Sequence, residues 1–329
     1  MTALARSAIR SLVRPTPLWV ILYVNRRCNL DCAYCRFKDD SIPDPPLARM
    51  LLAIDKIREL GCRFVSLTGG EPTLRKDLPE IVAHCRRRGV VSYLNTNGTL
   101  LTRESVARLG DAGVDMVNLS IDAIARYDDS TKDIARRGRA LACLLEAREQ
   151  YGFELVTNQV LCPNNFTLAP SLIEYMTERD VPVAHGLQYP VDDEYSAGNL
   201  PGLEEAIDRL VSMRRQGYRI LTSRGYLEAI RRRLHGLAEW QCDAGNSFFV
   251  IDVDGRVGIC DRHRLLDLTF EDLTTQNYQE LGERGRPRMV LEACQRECLV
   301  NCAYETSYFQ HHKVRYLADQ VLGIPPGTR

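Results

Sequence analysis

Leu18-Trp19-Val20-Ile21-Leu22-Tyr23-Val24 runs directly into Asn25-Arg26-Arg27-Cys28-Asn29-Leu30-Asp31-Cys32-Ala33-Tyr34-Cys35. The first part is continuously apolar and rich in β-branched and aromatic residues, the pattern of a strand buried on both faces. The second part places three thiols immediately after that strand. Downstream, helix-like and strand-like stretches alternate. Leu47–Leu60 has helical spacing and Gly61 stops it. Phe64–Thr68 is a second strand, Leu78–Arg88 a helix and Val90–Leu94 a third strand. Thr102–Leu109 is a helix with Thr102 as its N-cap, and Val114–Ile121 a fourth strand. Lys132–Tyr151 is a long helix, Phe153–Leu161 a fifth strand, Leu168–Arg179 a helix and Val181–Leu187 a sixth strand. Strands alternating with helices in one series indicate parallel βαβ units. Six of them predict an α/β fold, a partial (β/α)6 TIM-like barrel, with its chemistry at the C-terminal ends of the strands.

Composition narrows the classes. Of 329 residues, 45% are hydrophobic and 26% charged, which suits a folded globular chain and not a disordered one. Lys+Arg and Asp+Glu are both 43, so the net charge is zero and nothing suggests a nucleic-acid partner. Leu18–Val24 is the longest apolar run and is far short of the ~20 residues that span a bilayer. The outlier is cysteine, with 12 residues. The N-terminus lacks the order of a secretory signal. A cytoplasmic protein whose clustered thiols serve as metal ligands or catalytic groups is therefore expected, rather than a disulfide scaffold.

Cys28, Cys32 and Cys35 form C-x3-C-x2-C. A tight loop can turn three such sulfurs towards one metal centre. Iron–sulfur clusters usually take four cysteines. Three can hold a four-iron cube and leave one iron open, while a zinc site remains the alternative at this point. Beyond the second strand stands Gly69-Gly70-Glu71-Pro72. Two glycines allow close backbone approach, and a carboxylate suits an ammonium group.

These two motifs, at consecutive strand ends, resemble the radical S-adenosylmethionine (SAM) enzymes, with Tyr34 as the aromatic before the last cysteine. The resemblance implies a [4Fe-4S] cluster on Cys28, Cys32 and Cys35, with SAM on the open iron. It implies that Gly69, Gly70, Glu71 and Pro72 hold the SAM amino group. It extends to Asn97 after the third strand and to Ser120 and Asp122 after the fourth as further SAM contacts.

A second cysteine group follows. Cys242, Gly255 and Cys260 stand at C-x12-G-x4-C, and Asp254-Gly255 reads as a hairpin turn that brings the two thiols together. Cys294, Cys298 and Cys302 follow at spacings of four, which suit successive turns of a helix or coiled loop. This segment resembles the SPASM/twitch extension of radical SAM enzymes. Five cysteines instead of seven imply one auxiliary [4Fe-4S] cluster, with structural zinc as the alternative. Cys62, Cys85, Cys143 and Cys162 lie in regular runs and are expected in the core. The turn-rich Asp192–Gly202 stretch marks a boundary. The expected division is a basic segment over 1–15, a radical SAM barrel over 16–200, and over 201–329 linker helices with a small cysteine-rich α+β twitch/SPASM-like domain.

The resemblance implies reductive cleavage of SAM to a 5′-deoxyadenosyl radical, fed by a one-electron reductant such as flavodoxin or ferredoxin. The radical abstracts hydrogen from a peptide or small natural product, giving net oxidation or modification. Adenosyl transfer to a lipid is the alternative, suggested by a short resemblance of Cys298–Glu305 to the hopanoid-pathway adenosyltransferases and by the amphipathic pattern of Ala3–Arg14, which reads first as a helix closing the barrel's end and second as a membrane-surface helix. A non-enzymatic zinc- or cluster-binding protein is the alternative of another class. Among six histidines, only His185 is expected in the barrel cavity.

Overall fold

The computed structural model describes residues 17–188, 202–235, 240–260, 264–281 and 298–321. Six strands follow the expected βα alternation: β1 Trp19–Tyr23, β2 Phe64–Thr68, β3 Val91–Thr96, β4 Met116–Ser120, β5 Glu154–Leu161 and β6 Val183–Leu187. The intervening helices are α1 Leu47–Glu59, α2 Leu78–Arg88, α3 Arg103–Ala112, α4 Ile134–Tyr151 and α5 Ala169–Thr177. The six strands lie parallel and in chain order, so the (β/α)6 architecture is present.

The later chain adds α6 Leu203–Arg215, α7 Arg224–Leu234, β7 Phe248–Ile251, β8 Arg256–Gly258, β9 Arg264–Thr269, α8 Thr275–Gln279, α9 Asn301–His311 and α10 Lys313–Val321. Its strands do not form a separate sheet. β7 pairs parallel with β1, Val20 opposite Phe249, and β8 and β9 follow antiparallel, giving the order β6-β5-β4-β3-β2-β1-β7-β8-β9. The cysteine-bearing segment is thus bonded to the barrel's first strand. The β7–β8 turn falls at Asp252–Gly255, as expected: the Asp252 amide donates to Arg256 O at 3.0 Å and Gly255 to Asp252 O at 2.8 Å.

Alternation along β1 sorts its two faces. Val20, Leu22 and Val24 enter the main core with Met50, Ile54 and Ile57 of α1. Ile21 and Tyr23 point the other way and join Phe248, Val250 and Ala303 in a smaller core. Trp19 lies on this second face, stacked on Phe64 at 5.7 Å, with Tyr93 5.9 Å from Phe64. These rings fill the N-terminal end of the face away from the helices, leaving the other end for polar groups. Cys62, Cys85, Cys143 and Cys162 are buried, as expected. Burial pushes the Cys62 thiol up to about 12, which keeps it protonated. The 1–15 segment and most of the Asp192–Gly202 boundary lie outside the described residues.

Candidate functional site

The C-terminal ends of β1, β2 and β3 are bound together by the chain's own backbone. After β1, the carbonyl of Asn25 accepts from the Gly70 amide at 3.2 Å and that of Arg27 from the Glu71 amide at 2.8 Å. This contact leaves no space for a side chain. A Cβ on Gly69, whose φ is +156°, would lie 2.2 Å from Asn25 O, and one on Gly70 would lie 2.1 Å from Arg27 O. The two glycines therefore seat the β2 loop on the chain that leads into Cys28.

Glu71 makes the next tie. Its carboxylate is buried and accepts from the Thr73 amide at 3.1 Å, the Thr96 hydroxyl at 2.7 Å and the Asn97 amide at 2.6 Å. It spans from the Pro72–Leu74 turn, which it caps, to the end of β3. Burial pushes its pKa up, while the Asn97 amide and the Thr73 and Thr96 hydroxyls pull the other way. Asn97 then reaches the cysteine loop: its Nδ2 donates to Asn29 Oδ1 at 2.9 Å and lies 3.9 Å from Cys28 Sγ. Arg75, which nothing in the sequence singled out, locks the base. Its guanidinium donates to Val24 O at 2.9 Å and Pro45 O at 2.8 Å, and pairs with Asp77.

The cysteine loop has its own supports. The Cys35 amide closes a turn on Cys32 O at 3.0 Å, the Cys28 amide donates to Asp40 at 3.1 Å, and Ala33 donates to Asp129 O at 3.0 Å. Cys28 and Cys32 are half-buried and Cys35 is exposed. Burial raises the Cys28 thiol pKa, and the charges of Glu71, Cys35 and Cys32 raise it further, so the three sulfurs lie within electrostatic reach of one another. Among the described residues, no three His, Cys, Asp or Glu side chains converge as they would on a single ion. Three thiols on one loop, two half-buried and one exposed, are the donor set that would hold an iron–sulfur cluster.

Tyr34 and Asp122, both expected as SAM contacts, bond to each other. Asp122 is fully buried; its Oδ2 accepts from the Tyr34 hydroxyl and pairs with Lys132 Nζ at 3.3 Å, and its Oδ1 accepts from the Val160 amide at 3.0 Å. Lys132 also lies over the Tyr34 ring at 5.0 Å. Burial pulls the Lys132 pKa down, but Asp122 and the Cys32 and Cys35 thiols outweigh it and leave it raised. This cluster ties the cysteine loop to the ends of β4 and β5. Ser120 is half-buried at the end of β4, opposite Asn158 of β5. Below it runs a ladder across three strands that the sequence did not reveal: Asn95 Nδ2 donates to Ser66 Oγ and Asn118 Nδ2 to Asn95 Oδ1, both at 2.7 Å. His185 lies outside this cavity. It is buried against the α6–α7 link, with Nδ1 2.9 Å from Thr222 Oγ1.

The second cysteine group meets on the small core beside β1 and β7. Cys242, Cys260 and Cys302 pack against it, and Cys298 is buried nearby. Trp240 Nε1 donates to Cys298 O at 2.8 Å and the Tyr226 hydroxyl to Leu299 O at 2.6 Å. Cys294 lies outside the described residues. One ion pair connects the two groups. Arg26, two residues before Cys28, pairs with Asp252 of the β7–β8 turn at 2.6 Å, each side chain 5% exposed. The arginine also covers the Tyr23 ring at 4.2 Å.

The Radical SAM superfamily profile matches residues 22–169, the span of the three bound strand ends and the Asp122 cluster. Residues 22–169 form a radical SAM domain. Fe-coproporphyrin III synthase of Methanosarcina barkeri is 29% identical over 51% of this chain and 42% of its own length. PqqA peptide cyclase of Xanthomonas axonopodis pv. citri is 32% identical over 62% of this chain and 58% of its own length. The chain thus spans roughly half the length of these relatives. The corresponding cyclase of Xanthomonas campestris is 29% identical over 82% of this chain and 74% of its length. Two solved structures share the fold. Streptococcus suis SuiB bound to S-adenosylmethionine superposes with a TM-score of 0.64 at 17% identity, over 84% of this chain and 69% of its own. anSMEcpe with bound AdoMet gives 0.63 at 20% identity, over 92% and 98%. No helix among the described residues is long and apolar enough to cross a membrane.

Proposed function

We propose that this radical SAM protein is an enzyme that modifies a peptide. The observation that carries the enzyme reading is the joining of Gly69–Glu71 to the chain entering Cys28, which brings the two motifs of the superfamily to one place. A [4Fe-4S] cluster held by Cys28, Cys32 and Cys35, with SAM bound, would supply a 5′-deoxyadenosyl radical for hydrogen abstraction.

The residues of this chain bind, orient and shield. Cys35 is the most exposed of the three thiols. Glu71 fixes the loops through Thr73, Thr96 and Asn97, and its carboxylate together with the loop backbone and half-buried Ser120 offers polar groups for SAM. The Trp19, Phe64 and Tyr93 rings close the opposite end of the barrel and exclude water from below. Cys242, Cys260, Cys298 and Cys302 would hold an auxiliary [4Fe-4S] cluster, which would supply an electron acceptor for a net oxidation. The peptide class rests on the cyclases and on SuiB, which is also known bound to the precursor peptide SuiA.

Anaerobic reconstitution tests this. Wild type should carry about eight irons and form 5′-deoxyadenosine under reduction; Cys28/Cys32/Cys35→Ala should carry about four and form none. 5′-Deoxyadenosine from the triple variant refutes the assignment. About four irons in wild type removes the auxiliary cluster.

A further inference from the structure

A cleft of about 660 Å³ opens between α6, α7, α9 and α10, outside the barrel. Arg215, Arg224, Arg231, Arg232 and Arg315 line it, against one carboxylate, Glu228. Arg215, Arg232 and Arg315 are exposed and make no ion pair among the described residues. Arg231 meets Glu228 and Asp208 only at 4.0 and 3.8 Å. Excess positive charge of this kind repels itself and weakens the fold unless something negative sits there. The wall is aromatic. Trp240 lies 5.2 Å from Tyr304, and Tyr304 stacks on Tyr308 at 5.7 Å. Burial raises the Tyr304 and Tyr308 hydroxyls, with Glu305 raising both and Asp319 that of Tyr308, while Arg232, Arg315 and Arg224 oppose it, so the guanidiniums stand close to the rings.

We infer that this cleft binds an acidic segment of the peptide substrate, away from the radical centre. The inference rests on the peptide reading above and adds to it where the substrate is gripped and with what charge. Five guanidiniums on three helices suit several spaced carboxylates, with the rings taking the apolar side chains between them; a single phosphate would want a concentrated, buried grip. The volume suits a few residues of an extended chain, not a folded domain. α9 links the cleft to the barrel. Its Tyr304, Ser307 and Tyr308 face the cleft, while its first residue, Asn301, donates to His185 O in the middle of β6.

Fluorescence anisotropy of the full chain with fluorescein-labelled hexaglutamate tests this, with labelled hexaglutamine as the neutral probe. Hexaglutamate should bind at least tenfold tighter than hexaglutamine, and the difference should shrink with salt. Arg232→Glu/Arg315→Glu should weaken it about tenfold, with an unchanged melting temperature. Arg103→Glu, a surface control on α3, should bind as wild type does. Equal binding of the two probes, or no loss in the double variant, overturns the inference. So does displacement by inorganic tripolyphosphate below the concentration at which unlabelled hexaglutamate competes, because the cleft would then be a phosphate site. The probe needs no cluster or SAM. A chain that cleaves SAM but fails here loses only this inference, and one that binds here but cannot cleave SAM loses the enzyme reading instead.

Discussion

Replacing Gly70 by alanine is the sharpest test of how the site is assembled. The new Cβ would lie 2.1 Å from Arg27 O, 2.4 Å from Arg27 C and 2.6 Å from Arg26 O, all backbone atoms that cannot rotate away. Side-chain carbons essentially never approach closer than 3.0 Å, so the two loops must part by about 0.9 Å. The Glu71 N to Arg27 O bond, now 2.8 Å, would open to about 3.7 Å and be lost. Overpacking costs about 1–3 kcal/mol and one backbone hydrogen bond about 1 kcal/mol, roughly 3 kcal/mol together. That is more than a hundredfold against the joined state of the loops. Gly138→Ala is the matched control, because a Cβ there meets nothing within 4 Å inside α4, and it should stabilise by about 0.5–1 kcal/mol. Urea unfolding gives both stabilities, and equilibrium dialysis of SAM against anaerobically reconstituted protein gives the affinity. Gly70→Ala should lose stability and bind SAM at least tenfold more weakly, while Gly138→Ala binds normally. Wild-type stability and affinity in Gly70→Ala would refute the close approach.

Other consequences are equally open to measurement. Removing one partner of the buried Arg26–Asp252 pair leaves the other charge stranded, so Arg26→Met or Asp252→Leu should each cost about 3–5 kcal/mol in urea unfolding, and the double variant less than the sum. A strictly additive double variant would show that the two do not interact. Burial holds Glu305 up at about 7, so its folded form resists charging and stability falls as pH rises from about 4.5 towards 7. Burial holds His185 down at about 3, so stability falls as pH drops below about 6.5. Relative to wild type, His185→Gln should gain about 2 kcal/mol between pH 7 and pH 5, and Glu305→Gln should lose about 2 kcal/mol over the same interval. Two variants with parallel pH profiles would contradict both environments. Lys132→Met leaves Asp122 fully buried with only neutral donors and should melt well below wild type, with Lys132→Arg closer to it; equal melting of all three would show that Asp122 needs no cation.

The six barrel strands and their order could be read from alternation alone, because each is a local pattern bounded by its own cap or turn. Thr102 caps α3 as its residue type suggests, with its hydroxyl accepting from the Ser105 amide. Roles that depend on distant partners could not be read. That Glu71 also binds Thr96 and Asn97 from the next strand is not written in its motif. That Asp122 pairs with Tyr34 and Lys132 is equally hidden. Nothing near Arg26 announces Asp252, 226 residues away. The pairing of β7 with β1 is of the same kind: local pattern shows that Phe248–Ile251 is a strand, but not which edge it joins.

That pairing has a consequence for how the chain is made. At about 5–20 residues per second, the ribosome releases β1 roughly 10–45 seconds before the strand that covers its outer edge. Throughout that interval Trp19–Tyr23 offers a bare apolar border, an invitation to other nascent chains. Expression at low temperature or with abundant chaperones should therefore matter more for this protein than for a barrel whose first strand is sealed early, and a truncation ending before Phe248 should collect in aggregates.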